Sequence, residues 1–138
     1  MKSNIIKICI VMLSIFTISN VHAQKRNSQN YVVMTKNVQQ IKPILIAAEA
    51  LKLEDGKHFG DFQIIVCGKN VGDVADASKM DEFTEKAKTL GVTINACGFS
   101  LNRFKVERSS VPESLSIVEN GILQYLQFQK KGYNNLSL

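Results

Sequence analysis

Two cysteines, Cys67 and Cys97, each end a short run of aliphatic and β-branched residues and each precede a glycine: Phe62-Gln63-Ile64-Ile65-Val66-Cys67-Gly68 and Val92-Thr93-Ile94-Asn95-Ala96-Cys97-Gly98. If both runs are parallel strands, both thiols reach the same rim of one sheet. Cys97 also stands just before a predicted helical segment at 100–105, where backbone N–H groups and the helix dipole favour a thiolate. Arg103, one to two turns along that segment, adds positive potential. A thiol that titrates near about 8.5 in water is lowered by a unit or more in such a place. It is then a nucleophile able to carry a persulfide or a disulfide. Two other readings stay open. Free cysteine is among the most buried residue types and often only fills space. Two thiols on one rim would also close a disulfide in an oxidising compartment if their Cα atoms come within about 7 Å.

Other residues carry less chemistry. His58 sits in a Gly-punctuated loop with no Cys, His or carboxylate at metal-ligand spacing, so no metal is expected. Gly68-Lys69-Asn70-Val71-Gly72 is a Gly-bounded turn after a strand, but it has neither the Gly-Lys-Ser/Thr of a P-loop nor a dinucleotide fingerprint. Asp73 and Asp76 follow it, which disfavours phosphate. There is no Gly-x-Ser-x-Gly elbow and no Ser-His-Asp order. No nucleotide, flavin or other cofactor is named by these residues.

Strands and helices alternate around the cysteines. Residues 31–35 (Tyr-Val-Val-Met-Thr) read as a first strand. Residues 37–53 are helical in period, with Val38, Ile41, Leu45, Ala48 and Leu51 three or four apart and Pro43 placing the regular start near Lys42. Residues 44–48 are apolar almost all round, which predicts burial on more than one side. A polar loop at 54–61 leads to the strand ending in Cys67. Ser78 and Asp81 resemble a capping box opening a helix, with Glu82 and Lys86 as an i,i+4 pair and Gly91 as its stop. After the Cys97 strand and the 100–105 segment, Ser110-Val111-Pro112-Glu113 reads as a further cap. Residues 115–118 are a fourth strand, 122–131 a last helix with Gly132 beyond it, and 133–138 a short edge strand. This order predicts a three-layer α/β/α sandwich with a mainly parallel sheet of four to five strands. In such folds functional groups collect at the carboxyl ends of the strands.

The chain has 138 residues, 45% of them hydrophobic and 21% charged, which is the balance of a globular domain. Residues 1–23 read as a secretory signal peptide. Lys2 and Lys7 give the positive start, residues 8–16 the apolar stretch, and Val21-His22-Ala23 the cleavage site. The apolar stretch is about half the roughly 20 residues needed to cross a bilayer. Cys9 lies inside it, too early for lipid attachment. Cleavage leaves an exported chain, with the periplasm as the expected compartment and no membrane attachment. Residues 24–30 read as a flexible lead-in. Removing 23 of the 138 residues leaves 115. Losing Lys2 and Lys7 leaves 15 basic against 12 acidic side chains, a net charge of +3. No Lys/Arg run exceeds two and none is interleaved with aromatics, so no nucleic-acid groove is expected.

From Phe62 onward the chain resembles the DsrE/DsrF-like family of sulfur-relay proteins. The likeness rests on pieces in order: the strand ending Cys67-Gly68, the helix close Lys88-Thr89-Leu90-Gly91-Val92, the run Ile94-Asn95-Ala96-Cys97-Gly98-Phe99-Ser100-Leu101-Asn102-Arg103, the apolar Ser116-Ile117-Val118, the helix opening Asn120-Gly121, and the ending Leu126-Gln127-Phe128-Gln129-Lys130-Lys131-Gly132-Tyr133. It implies a DsrE-like α/β domain over 31–138 that assembles into homo-oligomers, commonly trimers or hexamers. It also implies a sulfurtransferase or sulfur carrier, with Cys97 at the position that accepts sulfane sulfur as a persulfide. The donor and acceptor would be a partner protein or a small thiol. The Gly98, Phe99, Ser100 and Leu101 backbone and Arg103 would steady the anionic sulfur. Two alternatives from other classes are a redox protein with a Cys67–Cys97 disulfide and a non-catalytic oligomeric binding module.

Overall fold

A computed structural model describes residues 28–138. The expected signal segment 1–23 lies outside the described residues. The chain runs β1 (Gln29–Thr35), α1 (Ile41–Asp55), β2 (Phe59–Val66), α2 (Ala77–Leu90), β3 (Val92–Cys97), α3 (Gly98–Arg103), β4 (Ser116–Val118), α4 (Gly121–Lys130) and β5 (Asn134–Ser137). Short 3₁₀ turns occupy Val38–Gln40, Gly56–His58, Lys69–Ala75 and Arg108–Ser110. The five strands form one sheet in the order β4-β3-β2-β1-β5, and every pairing is parallel. Helices cover both faces, so the chain is the expected α/β sandwich.

The two-residue period of the strands sorts the core. On one face Val33, Phe62, Ile64, Val66, Val92, Ile94 and Ala96 meet Ile41, Ile44, Leu45 and Ala48 of α1 and Met80, Phe83, Ala87 and Leu90 of α2. On the other face Val32, Ile65, Cys67 and Cys97 meet Tyr125 and Phe128 of α4. The central strand β2 therefore buries successive residues Ile64, Ile65 and Val66 completely. That is the continuous apolar signature of a sheet covered on both sides.

Connectivity makes the two faces unequal. β1 to β4 step across the sheet in sequence. α4 then carries the chain from the β4 edge over the second face to β5 at the opposite edge. A helix that follows a parallel strand begins at that strand's carboxyl end, so the first turn of α4 stands over the rim where β2 and β3 finish.

Several local expectations are corrected. The α2 cap is Asp76, whose side chain accepts the Ser78 N–H at 3.1 Å, rather than Ser78 itself. Lys86 pairs across the helices with Glu49 at 2.6 Å instead of along its own helix with Glu82. Ile46 is 59% exposed, so α1 buries one stripe and not most of its circumference. The short helix starts at Gly98 directly after the strand and ends at Arg103, and Lys105 takes a positive φ of 58°. No helix opens after Pro112; the chain turns there into β4. Gln29 and Asn30 of the expected lead-in belong to β1, where the Asn30 side chain accepts the Asp61 N–H at 2.9 Å. Phe59, Gly60 and Asp61 likewise extend β2 into the expected loop.

Candidate functional site

Cys97 closes β3 and is the N-cap residue of α3, with extended φ and ψ of −78° and 110°. Cys67 follows the last residue of β2, and its N–H donates to the Thr35 carbonyl at 2.9 Å, so it is still held in the sheet. Both side chains fall on the α4 face, because they continue the alternation set by Ile65 and Asn95. Both cysteines are free thiols and both are buried, Cys67 at 7% exposure and Cys97 at 3%.

Cys97 is surrounded by donors. Gly121, the first residue of α4, gives its N–H to the Cys97 Sγ at 3.3 Å. Asn120 makes this possible by capping α4 one step earlier. Its Oδ1 accepts the N–H groups of Ile122 and Leu123, both at 3.1 Å, which leaves the Gly121 N–H for the sulfur. Ser100 adds its hydroxyl and its N–H, and Cys67 adds its thiol. The Ser100 Oγ itself accepts the Gly68 N–H at 2.9 Å, so it ties the two strand ends together.

These contacts divide the two thiols. Burial pushes Cys97 up, but the Ser100 hydroxyl, the Gly121 and Ser100 N–H groups and the Cys67 thiol outweigh it and hold Cys97 below the usual thiol value. Burial raises Cys67 to about 12, helped by the charge on Cys97 and the hydrogen bond Cys67 makes to it, with Lys36 opposing. Cys97 is thus the more acidic thiol of the pair.

Gly121 is required by space. A Cβ there would run into the Cys67 Sγ and stand 2.9 Å from Ile65 Cγ2 and 3.2 Å from Cys97 Cβ. A Cβ on Gly98 would lie 2.7 Å from Arg108 Nη2, the movable end of an exposed side chain, so the fit there is close but less demanding. Arg108 forms a two-pronged ion pair with Glu119, 2.7 Å on each prong, across the mouth of the β3–α3 turn. The Phe99 N–H donates to the Glu119 carbonyl at 2.9 Å and fastens the same turn to the end of β4.

The residues expected at the site separate accordingly. Cys97, Ser100 and Cys67 come together, with Gly98 beside them. Phe99 turns its ring outward, at 65% exposure, and Leu101 is buried in the core on the opposite face. Arg103 lies exposed in the last turn of α3 and is not among the groups that set the Cys97 charge. The arginine over the turn is Arg108. Sequence reasoning also missed Lys36, whose side chain lies 3.4 Å from where a Gly68 Cβ would stand, and the role of Asn120-Gly121. The Asn-Gly pair opening an apolar helix was the visible signal; only the sheet order shows where that helix begins. His58 stands before β2 and so at the opposite rim. Among the described residues no group of three or more His, Cys, Asp or Glu is placed to hold a metal ion.

Comparison with known proteins finds no matching family model and no matching curated protein. Solved structures do match. One is a protein of unknown function, MTH1491 from Methanobacterium thermoautotrophicum, with a TM-score of 0.65 and 13% identity over 81% of this chain and 100% of that one. Another is a conserved protein of unknown function, BT1422 from Bacteroides thetaiotaomicron, with a TM-score of 0.60 and 22% identity over 85% of this chain and 100% of that one. At these identities the likeness is one of fold.

Proposed function

We propose that this chain is an exported sulfur-handling protein of the DsrE/DsrF-like kind, with Cys97 as the atom that carries sulfur. The observation that supports this best is the Gly121 N–H at 3.3 Å from the Cys97 Sγ. It sets the sulfur at the positive end of a ten-residue helix, where negative charge is stabilised. In the transfer step the Cys97 thiolate attacks the outer sulfur of a sulfane donor RS–SH. A new S–S bond forms on Cys97, the donor's S–S bond breaks, and RS⁻ leaves. A second thiol then takes the outer sulfur and frees the Cys97 thiolate. With Cys97 only 3% exposed, the donor must be small: an inorganic polysulfide or a low-molecular-weight persulfide.

Assembly into a homo-oligomer belongs to the same reading. The outer side of α4 presents Ile122, Leu123 and Leu126 at 60%, 53% and 48% exposure. An exposed aliphatic stripe on the one long helix that the described residues place on its face is suited to burial against another copy.

Protein treated with a polysulfide, freed of excess donor and weighed intact should gain about 32 Da on one cysteine. Cys97→Ser should gain nothing there. An equal gain on that variant, or none on the wild type, rejects Cys97 as the carrier.

A further inference from the structure

We infer that Cys67 is the resolving thiol of this site: it attacks the Cys97 sulfur of the persulfide, closes a Cys67–Cys97 disulfide and releases the carried sulfur as sulfide. This rests on the persulfide reading of Cys97 and assigns the fate of the sulfur it takes up.

The strand register carries the inference. β2 and β3 pair without a slip from Phe62↔Val92 to Val66↔Ala96. The next position on each chain is Cys67 beside Cys97. Cys67 is held at strand height by its hydrogen bond to Thr35. Neighbouring strands lie about 4.8 Å apart, inside the roughly 4.4–6.8 Å between Cα atoms that a disulfide spans. Side chains at paired positions share a face, and each of the two thiols shifts the titration of the other. Gly121 seals the space above them, so closely that its missing Cβ would collide with the Cys67 sulfur. An external acceptor has to reach a sulfur that is 3% exposed, whereas Cys67 is already beside it. A neighbour held in place has the effective concentration of an intramolecular reactant.

The step balances. Cys67–SH and Cys97–S–S⁻ give Cys67–S–S–Cys97 and HS⁻. The bond between the Cys67 and Cys97 sulfurs forms, and the bond from Cys97 to the outer sulfur breaks. That outer sulfur takes the electron pair and the Cys67 proton. It is reduced to sulfide while the two cysteine sulfurs are oxidised. No other oxidant enters, and a dithiol reductant reopens the pair for another round. The thiolate is the attacking species, so the proton passes from Cys67 to the departing sulfur as the new bond forms.

The test uses inorganic polysulfide without oxygen, with excess donor removed before readout. Wild type, Cys67→Ser and Cys67→Ala are followed by intact mass and by sulfide release, and Cys97→Ser gives the background. Wild type should pass through a form about 32 Da heavier to one about 2 Da lighter than the reduced chain, releasing one sulfide per chain. Both Cys67 variants should keep the heavier form and release only background sulfide. The inference is overturned if wild type holds the heavier form as long as the variants do, with Cys67 still open to alkylation; the persulfide reading survives that result. If neither Cys67 variant gains mass, loading at Cys97 has failed and takes the inference with it.

Discussion

Gly121 is the residue on which the site turns. It has no side chain because the Cys67 sulfur, the Cys97 Cβ and Ile65 fill that space, and its N–H reaches Cys97 because Asn120 takes the next two. Gly121→Ala should therefore have two effects. Forcing a methyl group into packed surroundings should cost about 1–3 kcal/mol, read from urea unfolding. Lifting the first turn of α4 should move the pH midpoint of Cys97 alkylation upward. A variant with wild-type stability and an unmoved midpoint would remove Gly121 from the account. The two cysteines also predict opposite pH dependences. Cys97 is lowered by folding, so its contribution is present above the unfolded thiol value and is lost as pH falls through the folded one. Cys67 is raised to about 12, so folding is favoured below the unfolded thiol value, and that stability drains as pH rises from about 9 toward about 12. Cys67→Ser should accordingly lose less stability than wild type over that alkaline window, in unfolding measured at a series of pH values. At this scale the sequence shows the two thiols and Ser100, because strand ends and a following glycine are local signals. It hides the roles of Arg108, Glu119, Lys36 and Gly121, because each reaches the strand ends through a sheet order that no single segment encodes.

The elements show the same division. β3 is legible to the residue, from Val92 to Cys97, because Gly91 ends one element and Gly98 opens the next. The α2 cap is displaced by two residues. Asp76 and Ser78 are both good caps, and the choice depends on where the preceding 3₁₀ turn delivers the chain after burying Val71 and Val74. Pro112 resembles a helix start because proline suits a first turn, yet it equally suits a turn into a strand. α4 links element to site most directly. Asn120→Ala removes the acceptor of two N–H groups and should cost about 1 kcal/mol, seen as a lower unfolding midpoint. The frayed first turn should slow polysulfide loading of Cys97 as well. Unchanged loading beside the expected loss of stability would mean that the cap serves only the helix.

For the whole molecule, the decisive feature is that, among the described residues, one face of the sheet has two long helices and the other has one. Sequence alternation predicts helices on both sides, but the unequal sharing follows from the single crossover of α4 between opposite edges. It leaves Ile122, Leu123 and Leu126 uncovered. Leu126→Glu should shift the protein toward the monomer in sedimentation velocity while its far-ultraviolet circular dichroism stays that of wild type. A monomeric wild type would reject assembly through α4.

Parallel strands also give the molecule a polarity. β1 enters at the rim away from the cysteines, and its seven residues carry the chain about 20 Å before the level of Thr35 and Cys67 is reached. β5 runs the same way beside β1 and delivers Leu138 toward the cysteine rim, where its N–H meets the Met34 carbonyl. A bead or surface coupled ahead of Gln29 would thus hold the cysteine rim facing outward, into the surrounding solution. A fusion appended after Leu138 would stand at its doorway.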